Sequence, residues 1–492
     1  MKVLNDTITI VTDKRSDSWT LVPLKDIADI NPKLDKSAIP DKLMVSFVPM
    51  QAVGAGDGTI DVSNLRPAAE VKKGFTNFQE GDVLFAKITP CMENGKMAVV
   101  PKVASGYGFG STEFHVLRPK AGVDPRYLYY FVSSQSIRKE AAHNMTGAVG
   151  QKRVSTSYIA DLEIPLAPPD QQCLIVAEIE KQFSRLDEAV ANLKRVKANL
   201  KRYKAAVLKA AVEGKLTEEW RKIHSDVEPA SEHLKRILVE RREKWEESEL
   251  TKMKAKGKKP TDDAWKKKYE EPEGSDNLSI DLPTTWITAT IHQLAELVQY
   301  GSSAKTNETG NGIPVLRMGN IFEGELVLDE LKYLPKSHDE FPELLLKPND
   351  LLFNRTNSPE LVGKTAVYTD KPDTCSFASY LIRVRFNKSV NSKFVSYFIN
   401  STHGRQWIKS VVTQQVGQAN VNGTKLQALS IPLPPYEEQL AVVLEMEKRY
   451  SAISEMEREV SANLIRGERL RQSILQQAFR GQLVSYRDVS LC

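Results

Sequence analysis

The chain has 492 residues, 41% hydrophobic and 27% charged, which excludes a fibrous repeat and wholesale disorder and suggests about three globular units. A net charge of +5 demands no polyanionic partner, so a phosphate-binding surface has to come from local clustering of Lys and Arg. Cys91, Cys173, Cys375 and Cys492 stand far apart with no C-x-x-C pair, which argues against a zinc knuckle or a disulfide scaffold.

Residues 1–18 read as an N-terminal tail without a continuous apolar stretch, and no run of about 18 apolar residues follows anywhere. A soluble, cytoplasmic protein with no membrane segment is expected. Residues 19–168 are rich in Gly, Asn and Thr with short apolar runs such as Val83-Leu84-Phe85, the pattern of a β-rich domain with long loops. A proline cluster, Ile164-Pro165-Leu166-Ala167-Pro168-Pro169, closes it.

Residues 169–216 then change to helical periodicity. Phe183, Leu186, Val190, Leu193, Val196, Leu200, Tyr203 and Val207 recur at steps of three and four, one narrow seam of a helix roughly 60 Å long. Residues 217–285 form a charged helical linker. Within it a helix starting at Ser231 carries Ile237, Leu238 and Trp245, with Arg241, Arg242 and Lys244 on other faces. The run Lys252 to Lys259 reads either as a solvated loop or as a contact for DNA phosphates or an acidic partner.

Residues 286–435 and 436–484 repeat this scheme at a spacing of 267 to 268 residues, before a tail at 485–492. Gly81-Asp82-Val83-Leu84-Phe85-Ala86-Lys87 aligns with Asn349-Asp350-Leu351-Leu352-Phe353-Asn354-Arg355, Gly95-Lys96 with Gly363-Lys364, and Trp19 with Trp286. Val149-Gly150-Gln151 meets Val416-Gly417-Gln418, and the second proline cluster is Ile431-Pro432-Leu433-Pro434-Pro435. The second helix keeps Met446, Tyr450, Ile453, Val460, Leu470 and Ile474 in register. Glu457, Asn463 and Gly467 interrupt its seam, with Met456 and Leu464 as candidate substitutes.

A period this long is a domain duplication rather than a solenoid. The expected fold is of the mixed α/β (α+β) class. It has two β-rich domains, each followed by a long helix, with the helices packed as an antiparallel coiled coil of pseudo-two-fold symmetry. Antiparallel packing spares the linker a return along the rod.

The paired Ile-Pro-Leu-x-Pro-Pro clusters, the Trp that opens each copy and the Asp-x-Leu-Phe strands resemble the specificity subunits of type I restriction-modification enzymes, over about Trp19 to Val484. The second copy is the closer match, through Asn354-Arg355-Thr356-Asn357-Ser358-Pro359-Glu360-Leu361-Val362-Gly363-Lys364 and Pro434-Pro435-Tyr436-Glu437-Glu438-Gln439. The resemblance implies two target-recognition domains, each reading one half of a split, asymmetric site on double-stranded DNA. It also implies partners: two adenine-N6 methyltransferase subunits docked on the helices, carrying S-adenosylmethionine, and motor-nuclease subunits recruited through them.

Base reading needs Arg or Lys for guanine and Asn or Gln for adenine. The first domain offers Lys87, Thr89, Asn94, Lys96, Gln151, Lys152 and Arg153. The second offers Arg317, Asn320, Arg355, Asn357, Lys364, Gln418, Asn420 and Asn422. Arg355, Asn357, Lys152 and Arg153 are the stronger base-reading candidates, while the repeated Gly-Lys pairs suit turn or phosphate positioning.

No catalytic, cofactor-binding or metal-binding residue is expected on this chain. Pro434-Pro435-Tyr436 resembles a methyltransferase adenine-holding loop, but Leu433 before it has no acceptor for the adenine amino group. The strings Gly54 to Gly58 and Gly106 to Gly110 read as hairpin loops, and Gly363-Lys364-Thr365 lacks the upstream glycine of a P-loop. The alternative within the binding class is the recognition subunit of another multisubunit methyltransferase or nuclease.

Overall fold

The computed structural model describes residues 19–484 except 149, 258, 259, 261, 277, 416 and 417. Both terminal tails, Lys258 and Lys259 of the lysine run, and Val149, Val416 and Gly417 of the aligned segments therefore lie outside the described residues. Two compact units result, one of Met1–Arg195 with Val460–Cys492, the other of Val196–Glu459. Each takes a stretch of both long helices, Pro169–Val212 and Tyr436–Phe479.

The first unit is built on a four-stranded sheet in the order Ala28–Ile30, Phe114–Pro119, Val83–Ala86, Met97–Val99. Every residue of Val83–Ala86 is buried because both faces of the sheet are covered. Val83 and Phe85 point into a core shared with Tyr127, Leu128 and Ile175, whereas Leu84 and Ala86 join a second core with Val48, Phe78 and Val116. That is why this strand reads as one continuous apolar run instead of alternating. A second sheet, Leu65–Pro67, Met44–Val48, Gly108–Gly110, Thr76–Phe78, lies beyond that second core.

The second unit repeats the plan. Its central sheet runs Ala295–Tyr300, Leu381–Phe386, Leu351–Asn354, Thr365–Val367, and again successive residues of the middle strand enter different cores. In each copy an antiparallel strand pair closes the domain onto its helix, Thr20–Pro23 with Glu163–Leu166 and Ile287–Thr290 with Ser430–Leu433. The buried ion pairs are duplicated too. Asp82 accepts from Nε and Nη2 of Arg118 at 2.8 and 2.8 Å, and Asp350 from the same atoms of Arg385 at 2.7 and 2.7 Å.

Within each unit the two helix stretches run antiparallel. In the first, Ile179 and Phe183 share a core with Ile474, Leu475 and Ala478, Arg471 pairs with Asp187, and Gly467 lies against Val190. In the second, Val207 and Ala211 pack with Val442, Val443 and Met446, and Lys204 lies over Tyr450. The seam is less continuous than its spacing predicts. Val196, Tyr203 and Leu470 are close to half exposed, and Met456, exposed to 51%, does not substitute for Glu457, whereas Leu464 is half-buried. Gly467 is buried and lets the helices approach, which an interruption read from the sequence does not suggest.

The linker helix spans Ala230–Ala255, starting one residue earlier than its sequence signal. It packs into the second unit through buried His233 and Ile237. Arg241 is not solvated: its Nη1 donates to the carbonyls of His292 and Ala295 at 2.7 and 3.0 Å, and Lys244 pairs with Glu296. Among the described residues no helix is long and apolar enough to cross a membrane, and no group of three or more potential metal ligands occurs.

Candidate nucleic-acid interface

At the rim of each central sheet the backbone builds the same frame. In the first unit the Lys87 N–H donates to Glu113 O at 2.9 Å, and the Lys87 carbonyl accepts from Val154 N at 2.8 Å. Ile88 and Thr146 both pair with Arg153. In the second unit Arg355 N donates to Tyr380 O at 3.0 Å and Arg355 O accepts from Val421 N at 2.9 Å, while Thr356 and Thr413 both pair with Asn420. These positions correspond one to one at the repeat spacing, yet the side chains differ. Lys87 becomes Arg355, Ile88 becomes Thr356, Glu113 becomes Tyr380 and Arg153 becomes Asn420. A constant backbone thus presents two different sets of donors, acceptors and apolar surface.

The first frame gathers Lys87, Thr89, Gln151, Lys152 and Arg153, since Thr89 N donates to Lys152 O at 3.0 Å. Lys152 and Gln151 are exposed and Lys87 is half-buried. Arg153 is occupied: its Nε and Nη2 each donate to Glu113 at 2.9 Å, and that guanidinium holds the Glu113 carboxyl below the usual carboxylate range. Beneath the frame His115 is buried between Asn31 and Val154 O, and desolvation pulls its imidazole below the ordinary histidine range. Asn94 sits exposed on the adjoining turn. Lys96 Nζ donates to Met50 O and Val53 O at 3.0 and 2.8 Å and so staples a loop.

In the second frame Arg355 lies 4.8 Å above the Tyr300 ring, and its buried Nε has no partner among the described residues. Asn357 is half-buried and accepts from Ser358 N at 2.8 Å, Asn420 donates to Thr356 Oγ1 at 3.1 Å, and exposed Asn422 caps the Gly423–Gln427 helix. Gln418 belongs to the strand paired with Thr413–Gln415, and its side chain lies outside the described residues. Lys364 is half-buried with Nζ 6.0 Å from the Phe322 ring. Asn320 lies in a turn. It is 4% exposed, and its amide accepts from Arg317 N and donates to the carbonyls of Val327 and Asp329, which closes a turn. Arg317 donates to Glu330 O at 2.9 Å, apart from the frame.

Gly95 and Gly363 hold φ of +70 and +78, and a Cβ on Gly363 would stand 2.2 Å from Ile408 Cδ1, so the repeated Gly-Lys pairs are turns first. Sequence reasoning missed the exposed aromatics of the second rim. Tyr300 and Tyr380 are 41% and 51% exposed and flank Arg355, and Tyr300 Oη accepts from Gly423 N at 2.7 Å. No local pattern marks them, because the three residues lie far apart in sequence, Tyr300 at the end of a strand, Arg355 between two strands and Tyr380 in a turn.

The family described as type I restriction modification DNA specificity domain matches this chain twice, over residues 16–202 and 283–462. The chain belongs to this family. Among curated members of the specificity-subunit class, it is 25% identical to the EcoEI specificity subunit of Escherichia coli, over 89% of this chain and 79% of that one. It is 25% identical to the EcoKI specificity subunit of Escherichia coli strain K12, over 96% and 90%. In fold it is similar to a chain from a study of complex assembly and conformational transition of the type I R-M system, with a TM-score of 0.68 at 19% identity, over 95% of this chain and 99% of that one. The HsdS subunit from Thermoanaerobacter tengcongensis follows at a TM-score of 0.58 and 18% identity, over 96% and 99%.

Proposed function

We propose that this specificity-family chain is the non-catalytic DNA-recognition subunit of a type I restriction-modification complex, each β-rich domain reading one half of a bipartite, asymmetric site on double-stranded DNA. The observation that supports this reading is the duplicated frame with exchanged side chains. A constant scaffold carrying Lys87 and Lys152 on one copy and Arg355, Asn357 and Asn420 on the other suits two readers of different bases. Arg355 is the best candidate for a two-point contact with guanine, its guanidinium being pre-set on Tyr300. Lys87 and Lys152 suit guanine or phosphate.

On this reading the paired long helices set the unread spacer and dock two adenine-N6 methyltransferase subunits. Those subunits hold S-adenosylmethionine and recruit the motor-nuclease subunits. The test is biochemical. Purified chain neither methylates nor cleaves DNA, and specific methylation appears when a separate methyltransferase subunit is added. Methyl transfer by the chain alone would overturn the assignment.

A further inference from the structure

Glu113 brings a negative charge to the rim of the first frame. It stands in the turn that leads into Phe114–Pro119, and its carbonyl accepts from Lys87 N at 2.9 Å. Both of its carboxylate oxygens accept from Arg153, and the Lys87 cation lies nearby, so the group is held ionised in a fixed orientation. A carboxylate has about four acceptor positions, of which Arg153 takes two. The Glu113 side chain is 25% exposed, so the others are within reach of a ligand. The second frame closes without such a pair. There Tyr380 occupies the same turn position, before Leu381–Phe386, and Asn420, in the place of Arg153, bonds to Thr356 Oγ1 instead. Each frame is joined by backbone pairing, of Ile88 and Thr146 with Arg153 in the first, of Thr356 and Thr413 with Asn420 in the second. A partly exposed ion pair adds little stability of its own. The Glu113–Arg153 pair is thus an addition peculiar to the first copy, at a position where the two copies differ.

An anion on a surface that meets DNA phosphates weakens binding unless it takes up a donor of its own. In the major groove the bases offer one kind of donor, the exocyclic amino group of cytosine or adenine. We propose that Glu113 is a base-reading residue of the first domain, its carboxylate accepting from that amino group, with Arg153 as the positioning residue that orients it. This rests on the reading above that the domain recognises a half-site. Cytosine is the better fit. Adenine presents the acceptor N7 beside its amino group, which repels the second carboxylate oxygen, whereas cytosine itself presents only the donor. Lys87 and Lys152 on the same rim offset the charge of Glu113 toward the phosphates. The exchange of Glu113 for Tyr380 then makes the two readers differ in kind, an anionic acceptor in one and an exposed aromatic ring in the other.

The test is binding by the full chain, assembled with its methyltransferase subunit, to duplexes carrying the methylated motif. Each cytosine of the motif is replaced in turn by 2-pyrimidinone and each adenine by purine, which removes the amino group alone. At one position of one half-site the wild type loses about tenfold or more in affinity, whereas Glu113→Ala binds the two duplexes alike. The replacement that carries the effect names the base. Glu113→Ala also binds an unrelated duplex more tightly, because a negative charge has left the surface. Its base preferences in the other half-site stay as they were and report an intact fold. If Glu113→Ala does not fold, Glu113→Gln decides, its neutral amide oxygen shrinking the amino-group effect about fivefold. An amino-group dependence that is the same with and without the carboxylate overturns the proposal. So does a loss in Glu113→Ala that follows replacement of a guanine by 7-deazaguanine instead, since Glu113 then only holds Arg153 on that guanine. A wild-type complex that binds no duplex in a sequence-dependent way overturns the recognition reading itself, and this assignment with it.

Discussion

Trp286 donates its indole N–H to Oε2 of Glu438 at 2.8 Å, tying the first residue of the second repeat to the first turn of its long helix. Trp19 makes the equivalent bond to Oε1 of Gln171, also at 2.8 Å. The two differ in surroundings. Glu438 is fully buried and also accepts from Thr217 Oγ1 and Arg221 Nη1 at 2.7 and 2.6 Å, whereas Trp19 and Gln171 are half-buried. Removing a donor from a buried carboxylate costs about 1.5–3 kcal/mol, and from a half-buried amide about 0.5–1.5 kcal/mol. Trp286→Phe therefore destabilises the chain more than Trp19→Phe does, read as denaturant midpoints of the two variants.

Arg355→Ala removes the guanidinium stacked on Tyr300. The variant loses about 1–3 kcal/mol of affinity for the site and accepts other bases at one position of one half-site, the half read by the second domain. Binding to a panel of single-base site variants checks this. A uniform loss across the panel would assign Arg355 to a phosphate.

His115 gives the first frame a pH dependence. Burial depresses its pKa, so the folded chain holds the ring neutral while the unfolded chain protonates it in the ordinary range near 6.5. The unfolded state binds more protons in that window, so stability is complete above about pH 6.5 and falls as pH drops below it, down to the depressed folded pKa. The second copy has Ile382 at this position. Urea unfolding between about pH 7 and 5 shows the decline, and His115→Gln flattens its slope.

The duplication, the β-rich domains, the helices starting at the proline clusters and the family were all legible in the sequence, because each is written in local spacing. The fate of individual cations was not. Lys96 is taken by carbonyls more than 40 residues away, Arg153 by Glu113 across 40 residues, and Arg241 by a helix end 51 residues on. Only the fold brings those partners together. The residue type of Asn320 serves turns and adenines equally, and its burial in a turn is visible only in the fold. The seam was over-read for a related reason: Val196 and Tyr203 have the right spacing, but spacing does not fix which apolar residue faces the partner helix.

The central claim is that one frame, duplicated, reads two half-sites independently. Its most direct test replaces residues 286–435 with the matching segment of a relative of different specificity and sequences the methylated motif in cells that also carry the methyltransferase subunit. The account predicts that one half of the motif changes while the other half is kept. A motif altered in both halves, or in neither, would contradict it.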